Sequence, residues 1–143
     1  MAGPTEVQRA LLAANLNFYR AFESLEAERM GDVWLKESYV SCTHPGWARI
    51  VGWAAVTKSW ENIFINTLGV SIKIRDEIAR ISGDVGWVTC TEELETRLYD
   101  GISHGSVEAT NVFEQRGGVW LLIHHHGSPL VRDRSPDDDP RLH

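Results

Sequence analysis

The sequence predicts an α+β fold in which a curved antiparallel sheet wraps around a long N-terminal helix to form a cone. Two observations carry this prediction. Near the N-terminus apolar residues recur every three or four positions, which is the pattern of an amphipathic helix. In the second half, turn signals separate four long runs, which is the pattern of an antiparallel meander. Strands of about a dozen residues must twist and curl, so the sheet is expected to close over the helix.

The composition is that of a globular protein with one domain. The chain has 143 residues, 43% of them hydrophobic and 24% charged, which is enough for a substantial core. The formal net charge of −6 argues against nucleic acid and membrane surfaces as partners, because both attract clustered Lys and Arg. No apolar run approaches the roughly 20 residues of a membrane span. The N-terminus lacks the features of a signal peptide, and Cys42 and Cys90 fit no CxxC pattern, so we expect a cytoplasmic protein with buried free thiols.

A long helix, a short helical turn and a third helix are expected in the first half. The apolar stripe places the long helix over residues 5–30, where Gly31 ends it and Asp32 caps a short second turn. Gly52 precedes the third helix. The two apolar faces consist of Val7, Leu11, Ala14, Phe18, Phe22 and Leu25 in the first helix, and Trp53, Val56, Trp60, Phe64 and Leu68 in the third.

The strands follow from their turns. A short hairpin over 39–51 turns at Pro45-Gly46. The four long strands are separated by Ser82-Gly83-Asp84, Asp100-Gly101 and Gly117-Gly118. We assign residues 1–131 to a single domain, and residues 132–143, which contain Pro and repeated charge, to a flexible acidic tail.

Hairpin register predicts which residues face the inside of the cone. We take Ser82-Gly83-Asp84 as a three-residue loop, because a two-residue turn would direct three charged side chains of the preceding strand into the core. The other two turns are taken as two-residue turns, which pair Tyr99 with Ile102 and Arg116 with Val119. Two inner cross-strand rows follow, Asp76–Cys90–Asn111–His124 and Ile74–Glu92–Ala109–His126.

These rows place two carboxylates, an amide and two imidazoles on one apolar wall, which indicates acid–base chemistry. A carboxyl in an apolar pocket has a raised pKa and serves as a base or a neutral hydrogen-bond donor near neutral pH. We expect Glu92 to be the general base, His126 its proton partner and Asp76 the reserve base. The expected substrate-binding residues are Asn111 and His124, with Trp34 and Trp47 at the mouth of the pocket.

Two other interpretations of the same residues are open. The carboxylates could neutralise the histidines in a buried hydrogen-bonded network without chemistry. A zinc site from His124, His126 and one carboxylate is chemically feasible, but two histidines at i and i+2 lack a third ligand, so we expect no metal. We also expect no cofactor.

Three segments, SCTHPGWARIVGW, ISGDVGWVTCTEEL and VFEQRGGVWLLIHHHGSPL, resemble the SnoaL-like branch of the nuclear-transport-factor-2-like (ketosteroid-isomerase-like) superfamily. The last strand, with Trp120, Leu122, His124, His126 and Ser128 at alternate positions, is similar to the association domain of calcium/calmodulin-dependent kinase. The resemblance spans nearly all of the chain up to Pro129. It implies a cystatin-like cone with a pocket at its open end, and usually a dimer formed by the outer sheet faces.

The resemblance implies a small-molecule-binding protein, and in the enzymes of the superfamily an inner-wall Asp or Glu does acid–base work. We therefore expect a cofactor-independent isomerase, cyclase, dehydratase or hydrolase acting on an apolar, polar-tipped substrate. The alternative is a non-catalytic ligand-binding or oligomerisation module, because fold does not decide function. A homodimer is expected through the mixed outer face formed by Trp87, Thr89, Thr91, Leu121 and Ile123.

Overall fold

Three helices and six strands make up the computed structural model, which describes residues 3–131. In chain order they are α1 (Glu6–Ser24), α2 (Ala27–Val33), β1 (Ser41–Thr43), β2 (Ile50–Val51), α3 (Trp53–Ile65), β3 (Gly69–Ser82), β4 (Val85–Leu98), β5 (Gly101–Arg116) and β6 (Val119–Leu130). The tail predicted for residues 132–143 lies outside the described residues. Within the described part, no helix has the length and apolar character needed to cross a membrane.

The strands form one curved, open sheet in the order β2-β1-β6-β5-β4-β3. The four long strands are an antiparallel meander, as predicted. The short hairpin of β1 and β2 joins this meander beside β6, and β1 runs parallel to β6, so the sheet is mixed rather than wholly antiparallel. With α1 lying across its inner face, the sheet gives the α+β cone that the sequence predicts.

The predicted long helix is two helices. α1 begins with a capping box in which Thr5 and Gln8 bond each other's backbone amides. It ends because Leu25 adopts a left-handed conformation, with φ 57°, and its amide bonds the carbonyl of Phe22. Gly31 does not end a helix but lies inside α2, where a Cβ would contact the ring of Trp53 at 3.5 Å.

α1 packs closely on the sheet and on α3. Gly86 of β4 admits Leu11, whose Cδ2 atom would lie 2.8 Å from a Cβ at that position. Phe18 makes an edge contact with Trp60 of α3 at a centroid distance of 5.8 Å, and Phe22 makes another at 5.0 Å. These contacts fix the helix against the inner face of the meander.

The β3–β4 hairpin differs from the predicted three-residue loop. Ser82 pairs with Val85, so the turn has two residues. A β-bulge between Arg75 and Ile78 adds one residue to β3 and exchanges the faces of the strand. Ile72 and Ala79, on either side of the bulge, are therefore both buried, and the charged residues between them stay outside. The three-residue loop was predicted because a two-residue turn would bury charged residues of a regular strand, and the bulge keeps those residues exposed with the two-residue turn.

The two other hairpins agree with the sequence to different extents. The turn between β4 and β5 consists of Tyr99 and Asp100, which shifts the register by two residues and leaves the inner faces of both strands unchanged. The β5–β6 turn is as predicted, up to the pair Phe113–Leu122. Beyond that pair Ile123 is an extra residue, and Val112 pairs with His124. This second bulge exchanges the faces of β6.

β3 is a long edge strand whose inner side is covered by α1. The carboxylate of Glu23 accepts a hydrogen bond from the amide of Ile72 at 2.9 Å. Farther along the strand, the amide of Gln8 donates to the carbonyl of Ala79 at 3.3 Å. Side chains of the helix thus bond backbone groups of β3 on both sides of its bulge.

The bulge in β3 makes Asp76 a sensitive position, because its φ is 60°. We expect Asp76→Gly to leave the unfolding free energy unchanged or raise it by up to about 1 kcal/mol, since glycine adopts positive φ without steric cost. Asp76→Val should lower it by about 1–3 kcal/mol, because a β-branched residue is strained there. Urea unfolding of both variants measures this, and equal effects of Gly and Val would contradict the bulge.

Candidate functional site

A polar cluster is buried between the inner sheet face and α1. Its members are Glu92 of β4, Asn111 of β5, His125 of β6, and Asn15 and Tyr19 of α1, all no more than 2% exposed. Glu92 and Asn111 lie on the inner face, as predicted, but Glu92 pairs with Val107 rather than Ala109, and Asn111 with Val88 rather than Cys90. Tyr19 bridges them, so the cluster is assembled by the helix as much as by the sheet.

Glu92 is the acidic centre of the cluster. Its Oε2 accepts a hydrogen bond of 2.7 Å from the hydroxyl of Tyr19. Burial raises the pKa of Glu92 to about 7, although the bond from Tyr19 acts in the opposite direction. Burial, and next the nearby Glu92, raise the pKa of Tyr19 far above its usual value. Tyr19 therefore stays neutral while Glu92 titrates near neutral pH.

Asn111 is hydrogen-bonded on both sides of its amide. Its Nδ2 donates to Asn15 Oδ1 at 2.8 Å and to the hydroxyl of Tyr19 at 3.0 Å. Its Oδ1 lies 2.5 Å from His125 Nδ1, which must be the protonated ring nitrogen because Oδ1 only accepts. Burial lowers the pKa of His125 to about 3, so this imidazole is neutral at physiological pH.

A second buried imidazole lies beyond His125. His44, in the turn after β1, has its ring centroid 6.5 Å from that of His125. The hydroxyl of Ser59 donates to the carbonyl of Val56, so it accepts from His44 Nε2 at 2.9 Å. Burial lowers the pKa of His44 to about 4. The indole of Trp60 lies against both imidazoles, at centroid distances of 4.7 and 6.0 Å.

The prediction for the histidine run was wrong. It is His125 that faces inward, whereas His124 and His126 lie on the outer face, because the extra residue Ile123 shifts the pairing by one. Ser41 Oγ lies 2.7 Å from His124 Nδ1, within hydrogen-bonding distance. His126 cannot be the proton partner of Glu92 and His124 cannot contact an inner substrate from this side of the sheet.

Two other expected site residues also lie elsewhere. Asp76 is in the β3 bulge with its side chain 71% exposed, and it pairs with Arg75 at 2.6 Å, so it cannot be a reserve base on the inner wall. Trp34 is buried in the core, with its ring 6.1 Å from Trp53, and does not line a pocket mouth. Trp47 is half-exposed and contacts His44 at 4.8 Å, which leaves its place at the mouth a prediction.

The residues missed by sequence reasoning come from α1. Asn15 and Tyr19 follow Leu11 at intervals of four, directly beside the apolar stripe. A polar residue at that spacing faces the core, which is the signal that could have found both. His125 carries no comparable signal, because each member of a run of three histidines satisfies the same pattern.

Two open depressions lie on the outer sheet face, away from Glu92. The larger, of about 770 Å³, crosses the strands at Lys73, Glu93 and His104. The smaller, of about 460 Å³, contains His124, His126 and Glu108. Among residues 3–131, no three His, Cys, Asp or Glu side chains are grouped so that they could hold a metal ion.

Residues 11–132 match the SnoaL-like domain family. The chain belongs to this family. Among solved structures, it is similar to a candidate dehydratase of the nuclear-transport-factor-2-like family from Streptomyces avermitilis, with 32% identity, a TM-score of 0.82, and coverage of 87% of this chain and 96% of that one. The predicted superfamily is thereby confirmed.

Two further relatives of this SnoaL-like chain have different descriptions. A candidate calcium/calmodulin-dependent protein kinase type II association domain from Thiobacillus denitrificans is 30% identical, with a TM-score of 0.71 and coverage of 92% and 99%. The F-box protein SKIP8 of Arabidopsis thaliana is 30% identical over 125 residues, which are 87% of this chain and 52% of that protein. The chain thus spans about half the length of this curated relative.

The buried titratable groups set how stability changes with pH. His125 and His44, with lowered pKa values of about 3 and 4, stabilise the fold above the unfolded pKa of 6.5, and this contribution is lost as the pH falls. Glu92, with a pKa raised from 4.5 to about 7, contributes below pH 4.5, and this contribution is lost as the pH rises through 7. Between pH 4.5 and 6.5 two histidines outweigh one glutamate, and the opposing effects balance close to neutrality, so urea unfolding should show maximum stability near pH 7.

Glu92→Gln isolates the contribution of Glu92 ionisation to the free energy of unfolding, because glutamine does not ionise and still accepts a hydrogen bond from Tyr19. At about pH 8 we expect the variant to exceed the wild type in unfolding free energy by about 3 kcal/mol, the equivalent of the raised pKa. At about pH 4 the difference should vanish, because both side chains are then neutral. An effect of equal size at both pH values would contradict the raised pKa.

Proposed function

We propose that this SnoaL-like chain is a cofactor-independent acid–base enzyme that moves a proton on a small, neutral, largely apolar substrate. The buried carboxyl of Glu92 carries the proposal, because a group with a pKa of about 7 takes up and returns a proton at neutral pH. The proposal includes a cytoplasmic location, where the free thiols Cys42 and Cys90 stay reduced.

The charge distribution supports a neutral substrate. Every Lys and Arg in residues 3–131 is exposed, so the described interior offers no cation to an anionic substrate. Aromatic rings lie beside His125, with Phe18 at 4.9 Å and Trp60 at 6.0 Å between ring centroids. A flat, apolar molecule with one polar group suits such walls.

The roles of the cluster follow from its hydrogen bonds. Glu92 is the general base, and Tyr19 is the side chain that hydrogen bonds to it. Asn111 is fully bonded within the chain, so its proposed role is to hold Tyr19 rather than to contact a substrate oxygen. Because Glu92 is 2% exposed, substrate entry requires neighbouring side chains to move, and this opening step belongs to the proposed catalytic cycle.

A second candidate function is ligand binding or assembly without chemistry. The closed cluster favours it, because its polar groups largely satisfy one another and Glu92 is shielded from solvent. The similarity to a candidate kinase association domain and to an F-box protein is compatible with this role. Proton transfer to or from a bound compound separates the two candidates.

Hydrogen–deuterium exchange at carbon tests the first candidate without knowledge of the natural reaction. Neutral cyclic ketones are incubated with the protein in deuterium oxide, and loss of the signal from protons next to the carbonyl is followed by NMR. Glu92→Gln should slow exchange by about 10²- to 10⁴-fold, the usual cost of losing a general base. Glu95→Gln, an exposed neighbour on the same strand, is the matched control. Wild-type protein that exchanges none of the ketones would favour the non-catalytic candidate.

We also propose that the chain forms a homodimer through its outer sheet face. Trp87 of β4 is 37% exposed, and Leu121 and Ile123 of β6, which β5 separates from β4, are half-buried. Thr91 contributes less than expected, because it is buried and bonds Glu108. Trp87→Glu should weaken dimerisation by about 100-fold or more, since it would bury a charge. Analytical ultracentrifugation checks this, with Tyr99→Glu at an exposed hairpin tip as the control; a monomeric wild type would refute the dimer.

A further inference from the structure

The hydroxyl of Tyr19 has three polar neighbours. Besides Glu92 Oε2 at 2.7 Å and Asn111 Nδ2 at 3.0 Å, the Sγ atom of Cys90 lies at 3.4 Å. Cys90 is 3% exposed and precedes Glu92 by two residues on the inner face of β4. A phenol hydroxyl has one hydrogen to donate and accepts two hydrogen bonds, so these three neighbours saturate it.

One of the three hydrogen bonds has a fixed direction. Asn111 Oδ1 accepts from His125, so the opposite side of its amide presents Nδ2 to Tyr19. An amide nitrogen only donates, and Tyr19 therefore always accepts from Asn111. The single hydrogen of the hydroxyl is left to point either at Glu92 or at Cys90.

These two orientations match the two protonation states of Glu92. When the carboxylate is ionised, Tyr19 donates to Oε2, and the thiol of Cys90 donates to Tyr19. When Oε2 carries a proton, it donates to the oxygen of Tyr19, whose hydrogen turns to the sulfur of Cys90. Oε2 is the oxygen that contacts Tyr19, so a proton on Oε2 has the Tyr19 oxygen as its acceptor.

We infer that Cys90 is a positioning residue, which lets Glu92 gain and release a proton without leaving the Tyr19 hydroxyl unpaired. This inference rests on the proposed function for its role in turnover, in which the proton taken from substrate carbon arrives on Oε2 as the Tyr19 hydrogen turns to Cys90. Its physical content, the coupling of Cys90 to Glu92 through Tyr19, concerns the free protein alone.

The other groups around Glu92 do not replace Cys90. Burial raises the pKa of the Cys90 thiol to about 11, so the sulfur stays protonated across the range in which Glu92 titrates. From β1, Cys42 is the second buried thiol; its pKa is raised to about 12 by burial and then by Glu92. The cross-strand partners of Glu92 are the apolar Ile74 and Val107. His125, neutral, faces Asn111 instead.

Infrared difference spectroscopy across a pH series measures the pKa of Glu92 from its protonated carboxyl band, with Glu92→Gln as the blank. Cys90→Ala should lower this pKa by about 0.5 to 1 unit, a three- to tenfold change in proton affinity. In the protonated state the Tyr19 hydrogen loses its acceptor, whereas in the ionised state that hydrogen still has Oε2. Cys90→Ser restores an acceptor and donor, so the pKa should return close to the wild-type value. Tyr19→Phe should raise the pKa, because the carboxylate loses its donor.

Two controls separate this coupling from simple hydration of a cavity. Cys42→Ala removes the other buried thiol near Glu92, which does not contact Tyr19, and should leave the pKa unchanged. In the Tyr19→Phe background, Cys90→Ala should have no effect, because the coupling runs through the hydroxyl. An unchanged pKa in Cys90→Ala, failure of Ser to restore it, or a shift that persists without Tyr19 would each overturn the inference. None of these measurements needs a substrate, so the proposed acid–base function can fail while the coupling holds, and the reverse.

Discussion

The buried amide of Asn111 is the contact on which the rest of the interior depends. It lies in the middle of β5, fully shielded from solvent, and its hydrogen bonds go to α1 on one side and to β6 on the other. A buried amide that lost one of these partners would cost about 1–3 kcal/mol. The amide therefore fixes the rotation of α1, which must present Asn15 and Tyr19, and selects the middle residue of the histidine run. Asn111 also influences Glu92 indirectly, because Tyr19 hydrogen-bonds both residues.

Two bulges reconcile this interior with a continuous sheet. In β6 the extra residue lets a buried apolar residue, Leu122, and a buried imidazole, His125, face the same side although they are three positions apart. In β3 the extra residue does the same for two apolar segments separated by charge. Without its bulge, each strand would have the correct residues facing the core on one side of the bulge position only. On the other side it would bury charged residues or expose core residues. The bulges thus serve the packing as much as the site.

Element types, their order and the inner faces of β4 and β5 could be predicted, because turn residues and alternation act over short distances. Glu92 and Asn111 were placed correctly for this reason, even though the register between their strands was shifted by two residues. His124, His126 and Asp76 were misplaced because a bulge adds one residue with little sequence signal. Aspartate adopts positive φ more readily than most residues, so Asp76 was a weak signal for the bulge in β3, whereas nothing about Ile123 indicated the bulge in β6. The break at Leu25 likewise lacks the glycine that usually marks a helix end. Helical periodicity could have predicted that Asn15 and Tyr19 face the core, but they are missed when the buried stripe is defined by apolar residues alone.

The side chains of α1 that bond the backbone of the edge strand β3 have a consequence for edge-to-edge association with other chains. A strand of 14 residues at the border of a sheet would normally be a template on which a strand of another chain could add. Here the ladder is interrupted at its centre by the bulge, and Glu23 and Gln8 occupy backbone groups on either side of it. The opposite border, β2, has only two residues. Neither edge therefore offers a long, uninterrupted row of free backbone groups to a strand of another chain. The sheet can have long strands without promoting edge-to-edge aggregation.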